Sequence, residues 1–308
     1  MKLVLGSRGS KLALAQTQWV ADRLAAACPG LECEIKVIRT KGDRVQDKPL
    51  DKIGDKGLFV REIEEQILSG AVDVGVHSMK DMPTALPAGL CFARVWPRED
   101  ARDALILRAG LAGRGLADLP ESACVATGSK RRAAQLLALR PDLRVTGIRG
   151  NIDTRLRKLD DPAEGLDALV LAAAGLRRLG LEGRISEYLS PARFVPACAQ
   201  GALALELRQD NTELLTLLNS LCSPEDDAAV TAERAFLAAA GGSCHLPVGA
   251  HAVPCAAGLR LTGLLGRESG SALAADTLEG PADDPAALGR ALADRLNALL
   301  CEQEARHD

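Results

Sequence analysis

The chain has 308 residues, of which 47% are hydrophobic and 26% charged, and it carries a net charge of −3. This length exceeds one ordinary hydrophobic core, so we expect a globular protein of two or three domains. The nearly balanced charge excludes a whole-protein attraction to nucleic acid or to anionic membranes. Aromatic residues make up only 2% of the chain, which leaves the bases of a nucleic acid almost nothing to stack on.

Neither a membrane span nor a disulfide framework is predicted. The longest strongly apolar run, residues 168–176, is about half as long as a membrane span. Near the first residue, Arg8 and Lys11 interrupt the apolar side chains, a pattern unlike that of a signal peptide. The nine cysteines form no C-x-x-C pair, so we expect most of them to be small buried side chains. These features predict a cytoplasmic protein, whose compartment keeps thiols reduced.

The first forty residues are predicted to form a strand, a helix and a second strand. An apolar strand at 3–5 leads into a turn that contains Arg8, and Ser10 is placed to cap the following helix. Alternating apolar and charged residues over 31–37 predict the second strand. The side of the helix expected to be buried consists of Leu12, Ala15, Trp19 and Val20.

A long charged segment separates this part from the next helix. Residues 41–57 are rich in glycine and charge, and a loop of this length inside a compact domain is usually functional or disordered. We predict a lid over a cleft, with Phe59 near its base. A helix over 57–70 and a buried strand over 71–79 follow, and this alternation predicts a parallel α/β sheet.

A second unit of similar size follows, and the remainder of the chain differs from both. The second unit has predicted strands at 104–108, 122–129 and 143–150, helices at 129–141 and 151–159, and a strand that continues into a helix over 166–180. From near residue 222 the pattern predicts two helices, at 227–240 and 284–302, and a strand at 258–266. The expected fold class is therefore α/β, with two lobes around a cleft and a small α+β C-terminal domain.

Basic side chains are concentrated in residues 127–158, where nine lysines and arginines face only two acidic residues. Arginine binds carboxylates and phosphates through two parallel hydrogen bonds, and helix starts and glycine turns add backbone N–H groups. Five arginines at such positions are candidates for an anion site: Arg8, Arg131, Arg132, Arg149 and Arg155. The alternative, a solvated helix face, suits Arg140, Arg144, Arg157 and Lys158.

Two further stretches could carry chemistry. The run His77-Ser78-Met79-Lys80-Asp81 falls at the carboxyl end of a predicted buried strand, where α/β sheets bind ligands. Asp81 beside Lys80 could equally be a surface ion pair, and His77 a satisfied core residue.

The second stretch, Gly-Gly-Ser-Cys-His at 241–245, places Cys244 among small residues. With His245, His251 and Cys255 it could bind zinc, although the spacing matches no common zinc module. A buried filler and a thiol that carries a group remain alternatives.

Ten ordered stretches of the chain resemble the porphobilinogen deaminase family, also called hydroxymethylbilane synthases. They include GSRGSKLALAQ, VHSMKDMPT, TGSKRR, IRGNIDTRL, PACAQGALALE and GGSCHLPVG. The stretches lie at 6–16, 54–64, 76–84, 98–105, 127–132, 148–156, 172–181, 196–206, 231–236 and 241–249.

The resemblance implies three domains and a covalent cofactor. Domains 1 and 2 are expected to be lobes like those of periplasmic binding proteins, over 1–98 with 199–218 and over 102–195. Domain 3, over 222–308, is expected to hold a dipyrromethane through a thioether to Cys244, without a metal. Four porphobilinogens are then added with loss of ammonia, and a linear tetrapyrrole is released by hydrolysis. A monomer that binds neither nucleic acid nor membranes is expected.

The resemblance also implies roles for individual residues. Asp81 corresponds to the catalytic aspartate, whose carboxylate stabilises the cation left when ammonia departs from the substrate. The cofactor is expected to contact Ser78, Lys80, Asp81, Thr127, Ser129, Arg131, Arg132, Arg149, Gly150 and Gln200 in addition to Cys244. The substrate is expected to contact Arg8, Ser10, Arg149, Arg155 and Arg178.

Three positions depart from the family's usual pattern. Gly128 replaces a hydroxyl residue before the paired arginines, Ala199 replaces a glycine beside Gln200, and Ser243 replaces the glycine before Cys244. None of these changes removes a charged or covalent group, so we expect activity to survive. A two-lobed carboxylate-binding protein without catalysis is the alternative from another functional class.

Overall fold

The computed structural model describes residues 2–40, 60–111, 113–241, 246–267 and 272–305. The chain divides into two compact units, Met1–Arg98 with Ala202–Asp227 and Glu99–Gly201 with Ala228–Asp308. We call them the first and the second unit. None of the helices in the described ranges combines the length and the apolarity that a membrane span requires.

The first unit is built on a five-stranded sheet with the strand order β2-β1-β3-β10-β4. The strands β1, β2 and β3 are mutually parallel, whereas β10 runs antiparallel to both β3 and β4. The elements are β1 (Lys2–Arg8), α1 (Lys11–Ala27), β2 (Glu32–Ile38), α2 (Arg61–Leu68), β3 (Val74–Ser78), β4 (Leu90–Phe92), β10 (Leu203–Arg208) and α6 (Thr212–Ser220).

The second unit contains a five-stranded sheet of order β7-β6-β8-β5-β9, in which β5 is antiparallel to β8 and β9. Alternation along β5 sends Leu105 towards Leu136 of α3 and Ile106 towards Leu156 of α4, so both faces are covered. The elements are β5 (Asp103–Leu107), β6 (Cys124–Ala126), α3 (Lys130–Leu139), β7 (Arg144–Thr146), α4 (Ile152–Asp160), β8 (Ala168–Ala172), α5 (Ala173–Arg178) and β9 (Glu187–Leu189).

The C-terminal part of the second unit is a three-stranded antiparallel sheet packed on helices. Gly263 lies under the helices, because a Cβ there would come within 3.0 Å of Phe236 and closer still to Leu292. The elements are α7 (Pro224–Ala239), β11 (Val248–Cys255), β12 (Gly258–Gly266), β13 (Leu273–Gly280) and α8 (Pro285–Ala305).

The structure confirms the fold class, with two α/β sheets and a small α+β C-terminal domain, but corrects two of its details. The prediction of parallel sheets is wrong for β10 and β5, which run against their neighbours. The strand β10 is formed where the chain returns to the first sheet, and a local sequence pattern does not reveal its direction. Arg8 is the last residue of β1 rather than part of a turn.

The buried side of α1 also differs from the prediction. Val20 is buried as expected, but Leu12, Ala15 and Trp19 are only half-buried. The buried residues are Ala13, Gln16, Thr17, Val20, Ala21 and Leu24. Polar residues are accommodated there because each makes a hydrogen bond; the Thr17 hydroxyl, for example, donates to the Ala13 carbonyl at 2.9 Å.

Candidate functional site

The strand β3 ends at Ser78 and continues into a single 3-10 turn, Met79–Asp81. Met79 and Met82 are buried, and the Met82 amide donates to the Met79 carbonyl at 3.1 Å. Lys80 is half-buried and Asp81 is exposed. Because the two methionines anchor the turn, it presents the Asp81 carboxylate at the carboxyl end of a buried strand.

Three other predicted residues of the first unit lie at the same edge of its sheet. Arg8 ends β1, the parallel neighbour of β3, and Ser10 caps α1 by accepting from the Ala13 amide at 3.2 Å. Ser78 Oγ lies 3.0 Å from Nε2 of Gln16, a buried residue of α1. The structure thus brings Arg8, Ser10, Ser78, Lys80 and Asp81 to one edge, as expected for parallel strands.

In the second unit, the loop after β6 carries Thr127 and Ser129. The Thr127 amide donates to the Thr146 carbonyl at 2.8 Å, and the Thr127 hydroxyl accepts from the Ser129 amide at 3.3 Å. Ser129 caps α3, since its hydroxyl accepts from the Arg132 amide at 3.4 Å. Both hydroxyl groups therefore stand at a helix start, where backbone amides favour anions.

The neighbouring loop after β7 carries Arg149 and Gly150. Gly150 has a φ of +106°, and its carbonyl accepts from Arg155 Nε at 2.8 Å. A Cβ at Gly128 would lie only 3.0 Å from the Ile148 carbonyl oxygen, so the two loops approach each other closely there. This contact gives a physical reason for Gly128, where the family usually has a hydroxyl residue.

Arg131 and Arg132 are both buried, and they share Asp103 as a counter-ion. Arg131 Nη1 donates to Asp103 Oδ2 at 2.7 Å and to the Val195 carbonyl at 2.6 Å. Arg132 donates to Asp103 Oδ1 from Nε at 2.9 Å and from Nη2 at 2.7 Å. Its Nη1 donates to the Val170 carbonyl at 3.0 Å. The paired arginines are thus fixed in place by contacts within the second unit.

Asp103 is fully buried and also accepts a hydrogen bond from Gln200 Nε2 at 3.0 Å. Burial opposes its charged form, but the positive charges of Arg131 and Arg132 outweigh this effect and hold the pKa of Asp103 well below its usual range. Gln200 is itself buried and donates to the Ala101 carbonyl at 2.8 Å. Gln200 therefore belongs to the same network as the two arginines.

Arg178, at the end of α5, lies beside Gly201, in the segment that leads into β10. Its Nη2 donates to the Gly201 carbonyl at 2.7 Å. Burial lowers the pKa of Arg178 to about 10, so the guanidinium remains charged at neutral pH. The Arg178 side chain is half-buried and donates to a neutral carbonyl, so its positive charge is suited to meeting an anionic group.

A second buried carboxylate, Glu233 of α7, supports the segment before Gln200. Glu233 is fully buried and accepts from the Ala199 amide at 2.6 Å and from the Ala252 amide at 2.8 Å. Ala199 has a φ of +60°, in the left-handed region that favours glycine. The departure from the family's glycine at this position therefore introduces backbone strain.

Four predicted features lie outside the described residues: Phe59 with the 41–57 segment, Ser243, Cys244 and His245. For the zinc alternative, His251 and Cys255 are four residues apart in β11, hence about 13 Å along the strand, too far to share one ion. Within the ranges that the structure describes, no three metal-binding side chains form a group suited to an ion.

Sequence reasoning missed Asp103 and Glu233. Asp103 stands within the stretch REDARDAL, whose acidic residues look like ordinary surface charges, and Glu233 stands in a helix rich in alanine. Their importance comes from burial, which the local pattern does not show. A charged residue at an otherwise apolar position, such as Asp103 directly before ALIL, was the available signal.

Comparisons with known proteins agree with this arrangement. The family model described as porphobilinogen deaminase, dipyromethane cofactor binding domain, matches residues 3–216, and the model of the C-terminal domain matches 228–298. Proteins named porphobilinogen deaminase from Lachnospira eligens and Clostridioides difficile are 53% and 47% identical to this chain. The matches cover 86% and 95% of this chain and 89% and 96% of those proteins.

Solved structures similar to this chain include two periplasmic proteins. The VFT2 domain of Bordetella pertussis BvgS is 19% identical, with a TM-score of 0.43, over 72% of this chain and 85% of that one. A Salmonella typhimurium periplasmic binding protein with high arginine specificity is 13% identical, with a TM-score of 0.38, over 71% and 91%.

Both family models, which together account for most of the chain, and relatives at about half identity over nearly its whole length point to the same family. This protein belongs to the porphobilinogen deaminase family.

Proposed function

We propose that this protein is a hydroxymethylbilane synthase, a transferase of tetrapyrrole and haem biosynthesis. It condenses four porphobilinogens head to tail, releasing one ammonia at each step, on a dipyrromethane primer linked to Cys244. Hydrolysis then releases linear hydroxymethylbilane. The observation that carries the proposal is the match of residues 3–216 to the family's cofactor-binding domain.

The described residues fit a dipyrromethane with carboxylate side chains. Arg149 lies in the loop after β7 and Arg155 in α4, and this loop closely approaches the loop that leads into the hydroxyl-capped start of α3, so the donors are of the kind that bind carboxylates. Gly128, which lies close to the Ile148 carbonyl, contributes no side chain at that position. When bound, the dipyrromethane supplies a nucleophilic pyrrole carbon to which the first substrate is joined.

Asp81 has the central chemical role. Its carboxylate accepts a hydrogen bond from the pyrrole N–H of the substrate and stabilises the positive charge that develops as ammonia leaves. After the new carbon–carbon bond forms, a carboxylate oxygen of Asp81 takes the proton that the accepting pyrrole carbon loses. Buried Met79 and Met82 anchor the backbone of the turn that carries Asp81.

The basic residues bind and orient acidic side chains. The substrate is held by Arg8, Ser10, Arg149, Arg155 and Arg178. The primer is held by Cys244, Ser78, Lys80, Asp81, Thr127, Ser129, Arg131, Arg132, Arg149, Gly150 and Gln200. Each added pyrrole brings two carboxylates, so positive side chains offset the growing negative charge. The protein acts as a cytoplasmic monomer on porphobilinogen, without metal, nucleic acid or membrane.

Intact-mass spectrometry of the purified protein tests the proposal. The wild-type protein is expected to exceed the polypeptide mass by two pyrrole units and to form tetrapyrrole from porphobilinogen. Cys244→Ala is expected to lack both the added mass and the activity. Cys255→Ala is the matched control, since Cys255 is half-buried in β11, and it should keep both. A wild-type protein with the bare polypeptide mass that returns porphobilinogen unchanged would instead indicate a carboxylate-binding protein.

A further inference from the structure

Three ionisable side chains that the proposed mechanism does not use lie buried together in the first unit. They are Glu64 of α2, His77 of β3 and Glu206 of β10, with 8%, 6% and 0% of their surface exposed. We call them the Glu64–His77–Glu206 cluster. His77 directly precedes Ser78 and lies four residues before Asp81, so the cluster adjoins the proposed catalytic turn in the chain.

The side chains of His77 and Glu206 contact each other. His77 Nε2 is 3.1 Å from Glu206 Oε2, and both side chains are almost completely buried. Among the described residues, neither Nε2 nor either Glu206 oxygen has a well-aligned hydrogen bond. Two lone pairs facing each other at this distance repel, and an unpaired buried carboxylate is costly. The 3.1 Å distance lets an Nε2–H group of His77 donate to the Glu206 carboxylate.

Gly75 leaves the space that allows the His77 ring to approach the Glu206 carboxylate. It is the register partner of Glu206 across the β3–β10 pair, and it lies two residues before His77 on the same face. A Cβ at Gly75 would lie 2.7 Å from His77 Nε2 and 2.9 Å from Ile63 of α2. The imidazole ring therefore rests on bare backbone and is confined between β3 and α2.

Glu64 completes the cluster. Burial, and next the negative charge of Glu206, raise the pKa of the Glu64 carboxyl, whereas His77 has an opposing effect. Glu64 therefore favours its protonated form more than an exposed glutamate does.

Different side-chain contacts hold the two faces of the last residues of β3. On the face towards α1, Ser78 Oγ contacts Gln16 at 3.0 Å. On the face towards α2, His77 contacts Glu206. These contacts precede the Met79–Asp81 turn and determine the direction in which the chain enters it. An error of about 1 Å in the position of a reacting group lowers rates on the order of 100-fold.

We propose that His77 is a positioning residue: through its buried contact with Glu206 it fixes the end of β3 and thereby the placement of the Asp81 carboxylate. This inference rests on the function proposed above for Asp81. His77 touches neither substrate nor primer in this scheme.

The test compares His77→Gln with His77→Asn. Both variants introduce a polar amide, but only the glutamine amide reaches the position of Nε2 and can donate to Glu206. We expect His77→Asn to lower kcat roughly 10- to 100-fold with KM changed less than about 2-fold. His77→Gln is expected to stay within about 5-fold of the wild-type kcat. Both should retain the primer mass on Cys244.

Glu64→Gln is the matched control, since it keeps the volume and resembles the protonated carboxyl that Glu64 favours. Its kcat should stay within about 2-fold of wild type. Equal kcat values for His77→Asn and His77→Gln would overturn the positioning role. So would a wild-type kcat for His77→Asn at a temperature where circular dichroism shows it folded. Failure of the proposed function is recognised separately, because the wild-type protein would then lack primer and product.

Discussion

The two α/β sheets of this protein hold their functional groups in opposite ways. In the first unit, the proposed catalytic carboxylate of Asp81 is exposed on a three-residue turn anchored by buried Met79. In the second unit, Arg131 and Arg132 are buried and bonded to Asp103. A reacting group is thus left accessible, whereas part of the positive charge is fixed inside the protein.

The free-energy cost of burying a charged side chain explains this difference. A guanidinium removed from water is destabilised by several kcal/mol unless hydrogen-bonded anions and carbonyls replace the lost hydration. Asp103 and the carbonyls of Val195 and Val170 provide that replacement for the arginine pair. Two arginines against one aspartate leave a net positive charge whose position does not depend on surface side-chain motion. The comparison therefore separates residues whose loss affects chemistry from residues whose loss affects the fold.

The largest expected effect is that of Asp81→Asn on turnover. Loss of the carboxylate charge should lower kcat about 100- to 10,000-fold, because an amide neither stabilises a cation strongly nor accepts a proton. Since Asp81 is exposed, the free energy of unfolding should change by less than about 0.5 kcal/mol. The measurements are porphobilinogen consumption and urea denaturation. A turnover close to that of wild type would remove Asp81 from its role.

In contrast to Asp81→Asn, Asp103→Asn should mainly lower the free energy of unfolding. Removing the counter-ion leaves two buried guanidiniums together, which should lower the free energy of unfolding by about 3–5 kcal/mol. Asp142→Asn is the matched control, because the Asp142–Arg140 pair is only half-buried and should contribute far less. Equal losses in urea denaturation for the two variants would contradict the special status of Asp103.

Asp103 also makes the free energy of unfolding depend on pH. The pKa of Asp103 is depressed in the folded protein, so its stabilising effect is complete above the ordinary aspartate range. It is lost progressively as the pH falls through that range and below it. Asp103→Asn should therefore lose part of the wild-type dependence of stability on pH below about 4.

The smallest expected effect is that of Ala199→Gly. Ala199 has a φ of +60°, so glycine should relieve strain and raise the free energy of unfolding by up to about 1 kcal/mol. Ala202→Gly is the control, since Ala202 is buried and does not have a positive φ, and it should lower stability. Destabilisation by Ala199→Gly in thermal denaturation would show that the strain is compensated locally.

The sequence predicts much of the fold because local signals are strong. The sequence predicts Ser10 as a helix cap and a helix over 57–70; the structure confirms the cap and shows that helix at Arg61–Leu68. The directions of β5 and β10 were not predictable, because they are set by partners distant in the chain. The domain boundaries inferred from the resemblance stay a prediction.

For the candidate site, residue types were predictable but their environments were not. Arg131 and Arg132 were identified by their place at a helix start, yet their burial and their dependence on Asp103 arise from strand β5, about 30 residues earlier. The positive φ at Ala199 likewise depends on Glu233, 34 residues later. Such long-range contacts leave no periodic signal in the sequence. The roles assigned to Cys244 and to the arginines stay predictions.

The contacts of Glu233 have a consequence for how the enzyme tolerates mutation. One carboxylate ties the C-terminal sheet at Ala252 to the returning chain at Ala199, and the next residue, Gln200, reaches Asp103. Defects in the C-terminal core can therefore be transmitted to the arginine pair through two successive residues. The C-terminal domain, which supplies Cys244, therefore also supports the position of Arg131 and Arg132. Substitutions in the C-terminal core and around this arginine pair are expected to occur together in evolution.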